Sequence, residues 1–184
     1  MKNYFLKIIQ LTLYFIFAIP IRLIFKLKRT VEFKYKNKGL IFASNHIGYM
    51  DPFLISFSIP FRDALKIAPM RFVTNKRFFR NPILGFFLAC VGGISTKKGI
   101  LPKLVSRLKN KESVLIFPEG FIEKENIVHN PKVGVVYLEK HTNSFIIPVN
   151  LQKNSVIFKE QLRHKTIPEN FEPLAKDIMK RIRD

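Results

Sequence analysis

Residues 40–52 read L-I-F-A-S-N-H-I-G-Y-M-D-P. The opening run, L-I-F-A-S-N, is short and apolar and suits a buried strand. His46 follows it, and then a loop. Asp51 before Pro52 reads as the N-cap and first residue of a helix over P-F-L-I-S-F-S-I. Gly48 lets the intervening loop turn sharply. The stretch is therefore read as strand, loop and helix, with His46 at the carboxyl end of the strand.

The flanking sequence extends this pattern. Upstream, T-V-E-F-K-Y-K (30–36) alternates as a half-buried strand does, and Lys38-Gly39 marks a turn. Downstream, Lys66–Thr74 reads as a strand, and N-K-R-F-F-R-N-P-I-L-G-F-F-L-A-C-V as two helical pieces around Pro82. G-G-I-S-T is a short strand after a turn, and L-P-K-L-V-S-R-L-K is helical. S-V-L-I-F is a strand stopped by Pro118. V-G-V-V-Y-L-E-K is a helix, F-I-I-P-V-N-L a strand, and the segment after Pro173 an amphipathic helix. Residues 152–172 carry no clear pattern. Strands alternating with helices imply an α/β fold with helical crossovers. The 184 residues suit one domain.

The chain carries 32 Lys and Arg against 13 Asp and Glu, a net charge of +19. That balance favours anionic partners: nucleic acid, anionic lipid or a phosphorylated substrate. Cys90 is alone in an apolar run, so no internal disulfide or thiolate metal site is expected. The four histidines are scattered without metal-ligand spacing.

Residues 4–28 are strongly apolar. The cleanest part, between Lys7 and Arg22, covers only about 21 Å as a helix at ~1.5 Å per residue, short of the ~30 Å of a bilayer core. Arg22, Lys26 and Arg29 are spaced to share one helical face, and Pro20 is expected to kink the helix. An interfacial or re-entrant anchor is the preferred reading. A spanning helix and a signal peptide are the others. The basic flank places the main domain on the cytoplasmic side.

His46 and Asp51 form an H-x4-D pair. Taken alone, it is more often a structural histidine beside a helix cap. In a cleft it does chemistry: the carboxylate orients the imidazole and stabilises its protonated form, and the other nitrogen acts as general base. No nucleophile motif accompanies the pair. A base without a protein nucleophile suits attack by a substrate hydroxyl on an electrophile with a good leaving group, such as a thioester. Two other stretches stand out. G-G-I-S-T-K-K-G (92–99) offers flexible backbone and two cations, and L-I-F-P-E-G (115–120) puts Glu119 and Gly120 at a strand end.

Together and in this order, N-H-I-G-Y-M-D, G-G-I-S-T-K-K, F-P-E-G and I-I-P-V resemble the four blocks of the glycerophospholipid acyltransferase family. That family is typified by 1-acylglycerol-3-phosphate acyltransferase. Lys132-Val133-Gly134 resembles the K-x-G that follows the third block. The resemblance covers roughly residues 30–150. It implies a single αβ domain over 30–184, with a mixed sheet flanked by helices, preceded by a membrane-associated helical segment over 1–29. It implies that His46 deprotonates the glycerol hydroxyl, that Asp51 orients it, and that Lys98, Glu119, Gly120 and Lys132 help bind the acceptor. The donor would be acyl-CoA or acyl-carrier protein and the acceptor a lysophospholipid, first of all lysophosphatidic acid. The protein would work on an anionic membrane surface, with no metal or cofactor.

This sequence departs from the family at two places. Lys97-Lys98 replaces the common Asp-Arg, which loses a bidentate fork on phosphate. Phe121-Ile122 follows F-P-E-G where the family commonly has Thr-Arg-Ser, so a cation is missing. Both bear on the acceptor headgroup. They leave open a different lysolipid, or a non-catalytic lipid-binding protein on the same fold. Phe residues around 78–87 suit either an acyl tunnel or ordinary core. Arg62, Lys66, Arg71, Lys76, Arg77 and Arg80 are expected to face anionic lipid or the donor's phosphates. Nucleic-acid binding accounts for the charge but not for the apolar N-terminus, and no recognition motif is present.

Overall fold

The computed structural model describes residues 3–31, 39–96, 99–122 and 130–184. A seven-stranded sheet runs through its centre, in the order β1-β7-β6-β2-β5-β3-β4. The strands are β1 (Lys28–Val31), β2 (Ile41–Ser44), β3 (Met70–Thr74), β4 (Gly93–Ser95), β5 (Ser113–Ile116), β6 (Ile146–Gln152) and β7 (Ser155–Phe158). The pairs of β2 with β5 and β6, and of β3 with β4 and β5, are parallel, whereas β7 is antiparallel to β6 and carries β1 parallel to itself. The sheet is therefore mixed.

Two helical layers cover it. On one face lie α1 (Asn3–Ile24), α2 (Asp51–Ser58), α3 (Phe61–Ile67) and α4 (Pro82–Cys90). On the other lie α5 (Ile100–Lys109), α6 (Gly134–Thr142) and α7 (Glu172–Arg183). The central strand shows why: Leu40 and Phe42 enter the first core, while Ile41 and Ala43 enter the second. Side chains alternate across a strand, so an unbroken apolar run feeds both faces.

Several local expectations change. The strand expected at 30–36 begins at Lys28 and is described to Val31, so it straddles the expected segment boundary at 29/30. Its remainder, with Lys34, Lys36 and Lys38, lies outside the described residues. The strand expected from Lys66 starts only at Met70, after Pro69, which has no N–H to donate to a ladder, while Phe61–Ile67 is helical. The patternless stretch at 152–172 contributes β7 by a tight reversal from β6.

The N-terminal helix belongs to the first core. Tyr14 and Ala18 are buried there, Leu6 is buried as well, and the helix continues through Pro20 to Ile24. Gln10 accepts from Met70 N (2.8 Å) and donates to Met70 O (2.6 Å) and Val91 O (3.0 Å). Arg22 does not share a lipid-facing stripe with Lys26 and Arg29, because the helix ends before them. Its guanidinium donates to Phe57 O (Nε, 2.8 Å), Ile59 O (Nη2, 3.2 Å) and Tyr14 Oη (Nη2, 2.6 Å). Arg22 thus satisfies the carbonyl end of α2. Arg71 also departs from expectation. It is buried and paired with Glu112, which Arg107 approaches from the other side at 3.1 Å.

The outer face of α1 is different. Phe15 is 78% exposed and Leu23 71%; on α4, Ile83 is 81% and Phe86 74% exposed. Tyr4–Ile24 is long and apolar enough to cross a membrane.

Candidate active site

The carboxyl ends of the neighbouring parallel strands β2 and β5 carry the expected groups. In α/β sheets this edge is where ligands bind. His46 leaves β2 and Glu119 leaves β5. Asn45 fastens the β2 exit to β6: its amide donates to Leu151 O (2.8 Å) and accepts from Leu151 N (2.7 Å).

His46 Nδ1 donates to Asp51 Oδ2 at 2.7 Å, and the aspartate is buried. The same oxygen accepts from Ile47 N (2.7 Å) and Gly48 N (2.9 Å). Asp51 is therefore not the cap expected from Asp-Pro. The cap is Met50, and the Asp51 carboxylate turns back onto the loop before the helix. Its three donors gather the loop around His46. Gly48 does not take a left-handed conformation, and a Cβ there would meet only Asp51 Oδ1, at 3.4 Å. The carboxylate, rather than glycine's freedom, bends this loop.

With Nδ1 donating, the lone pair of the imidazole is on Nε2. Among the described residues, no hydrogen-bond partner approaches Nε2. The ring stacks on Phe117 with centroids 4.1 Å apart and planes at 16°. Hydrogen bond and stack together hold the ring in one plane.

Glu119 is buried beneath this loop. Oε2 accepts from His46 N at 3.0 Å, and Oε1 accepts from Arg183 Nη2 at 3.3 Å. Through these two contacts Glu119 anchors the loop from within. Gly120 has φ +75°, and a Cβ there would overlap the side chain of Lys132. The exposed Lys132 thus lies along Gly120, with its N–H donating to Pro118 O at 2.7 Å. Lys98 falls outside the described residues. The preceding pair Gly92-Gly93 is buried, and a Cβ at Gly92 would overlap Met70 O. This pair serves close packing, where the sequence reading expected flexible backbone.

An apolar cavity of about 320 Å³ lies between α1, α2, α3, α4 and β3. Met50, next to Asp51, is part of its wall. So are Phe17 and Phe87, both about half exposed on the outer faces of α1 and α4. The residues that sequence reasoning missed are Asn45, Arg22 and Arg183. Asn45 could have been found from its place between the strand and His46. Arg22 is joined to distant backbone and Arg183 to a distant carboxylate, and neither carries a local signal.

The acyltransferase family model matches residues 27–152. The fold is similar to that of the 1-acyl-sn-glycerophosphate (LPA) acyltransferase PlsC from Thermotoga maritima, with a TM-score of 0.69 and 16% identity over 94% of this chain and 76% of that one. A comparison with curated proteins returned no match. The family match takes in β2, β5 and β6 and both members of the His46–Asp51 pair, and with that coverage the chain belongs to the acyltransferase family.

Proposed function

We propose that the protein moves a fatty acyl group from acyl-CoA or acyl-carrier protein to the free hydroxyl of a lysophospholipid. The first acceptor is 1-acylglycerol-3-phosphate, giving phosphatidic acid. The observation that carries this reading is the imidazole of His46, tied to Asp51 through Nδ1 and, among the described residues, open at Nε2. Nε2 takes the proton of the acceptor hydroxyl as its oxygen attacks the thioester carbonyl. The new C–O bond forms, the C–S bond breaks, and the proton passes from the imidazolium to the leaving sulfur. Asp51 stabilises the imidazolium in between. A positioned base of this kind contributes roughly 10²–10⁴-fold in rate.

The apolar cavity beside Met50 takes an acyl chain. Its Phe87 wall gives one of the Phe residues at 78–87 that role, while Phe78 and Phe79 pack against the first core. Lys132 over Gly120, together with Lys98, supplies positive charge for the acceptor phosphate. Glu119 fixes the His46 loop. The chemistry as written uses no metal or cofactor.

The protein works on the cytoplasmic face of an anionic membrane. The outer faces of α1 and α4 enter the apolar boundary, and exposed Arg62, Lys66, Lys76, Arg77 and Arg80 meet the headgroups. Each such cation adds roughly 1 kcal/mol near an anionic surface. Because Gln10 and Arg22 hold the inner face of α1 to the domain, the helix is assigned to the interface and not to a span.

The test is thiol release by the purified protein in anionic micelles, from acyl-CoA and from acyl-carrier protein, with and without lysophosphatidic acid. Release that depends on the acceptor is expected. Release only with another lysolipid would move the specificity. No release across an acceptor panel would favour non-catalytic lipid binding.

A further inference from the structure

A closed ring of polar contacts lies beneath the His46 loop. Asn45 is bonded to Leu151 on β6 through both its amide atoms. The preceding residue on β6, Asn150, donates from Nδ2 to Arg183 O at 3.1 Å. Arg183 Nη2 donates to Glu119 Oε1 at 3.3 Å, and Glu119 Oε2 accepts from His46 N at 3.0 Å. The ring thus returns to the residue after Asn45. Glu119 is 3% exposed and Asn150 9%.

A buried carboxylate needs a countercharge as well as hydrogen bonds. Phe121 and Ile122, which follow Gly120, carry no charge. Arg183 brings one from the last turn of α7, 64 residues away. Its own carbonyl is held by β6, so the helix end is fixed at two points.

We propose that Arg183 is a positioning residue for acyl transfer. It balances and orients Glu119, and through Glu119 it sets the backbone of His46. This rests on the assignment of His46 as the base. Arg183 touches no reacting atom.

The test compares Arg183→Met, Glu119→Gln, the double variant and Arg183→Lys in the full chain. Three quantities are read: amide hydrogen exchange at His46, kcat, and KM for the lysophospholipid. Arg183→Met is expected to speed His46 exchange about 10-fold and lower kcat about 10-fold, leaving KM within about 2-fold, the scale of coupling between groups sharing one network. Arg183→Lys should recover part of both losses, because it keeps the charge without the fork. The double variant should be no worse than Glu119→Gln alone. Additive effects would overturn the proposal, as would a raised KM with unchanged kcat, which marks a direct headgroup ligand. If Arg183→Met does not fold, exchange at His46 in Arg183→Lys decides, and a wild-type rate there contradicts the proposal. Exchange coupling in a protein without any turnover would contradict the catalytic role of His46, and not the link to Arg183.

Discussion

Among the described residues, two histidines hold a buried carboxylate through Nδ1. His46 meets Asp51 at 2.7 Å and His164 meets Glu139 at 2.8 Å, and both imidazoles are 17% exposed. The contacts match, but the surroundings do not. His46 sits at the carboxyl end of β2, with Nε2 open among the described residues and an apolar cavity alongside. The Nε2 of His164 faces a second carboxylate, Asp177, at 3.9 Å, and Asp177 is bonded to Arg181. Glu139 also accepts from His164 N at 2.6 Å. The second pair ties the segment before α7 to α6 and turns its far nitrogen toward a carboxylate. A histidine–carboxylate contact is thus a structural unit first. It becomes a candidate for catalysis when its far nitrogen is open at a place where a substrate can bind.

Exchanging the two carboxylates is the sharpest way to break this comparison. Asp51→Asn should lower turnover by at least roughly 100-fold, because the imidazole loses its orienting charge. Glu139→Gln should leave turnover within about 2-fold and cost about 1–3 kcal/mol of stability from a disturbed buried hydrogen bond. Thermal unfolding and thiol release on the same preparations would separate the two. Equal loss of turnover in both would erase the distinction.

A smaller effect is expected from the membrane side of the His46 pair. Ile83→Glu with Phe86→Glu should weaken binding to anionic vesicles about 10-fold or more, since each buried apolar side chain contributes roughly 1.5–3 kcal/mol. Turnover of a micellar short-chain acceptor should change little. Vesicle flotation at matched salt measures the first, and unchanged flotation would remove α4 from the docking face. The smallest effect belongs to Gly48→Ala. A Cβ there finds ordinary contact distance, so kcat should stay within about 2-fold. A large loss would mean that the loop does need glycine.

Much of this was legible in the sequence, for reasons that particular residues make plain. β2, β5 and β6 are continuous apolar runs because both their faces are buried. His46 and Asp51 are close in sequence, so their pairing needs only one loop. What escaped is long-range. Arg22 reads as one more cation beside a membrane until Phe57 O and Ile59 O are placed next to it. Arg71 reads as surface until Glu112, just before the neighbouring strand β5, is found beside it. Arg183 and Glu119 lie far apart in the chain. β7 has only four residues, too few to carry a periodic signal. Asp51 misled for the opposite reason: Asp-Pro is a good local capping signal, and the tertiary contact with the loop overrode it.

The most direct test of the central claim is acyl transfer by His46→Ala beside His164→Ala, measured on folded protein with the same donor and acceptor. Turnover should fall by roughly 10²–10⁴-fold in the first, the scale of losing a general base, and stay near the parent value in the second. Turnover that survives in folded His46→Ala would contradict the assignment of His46 as the base.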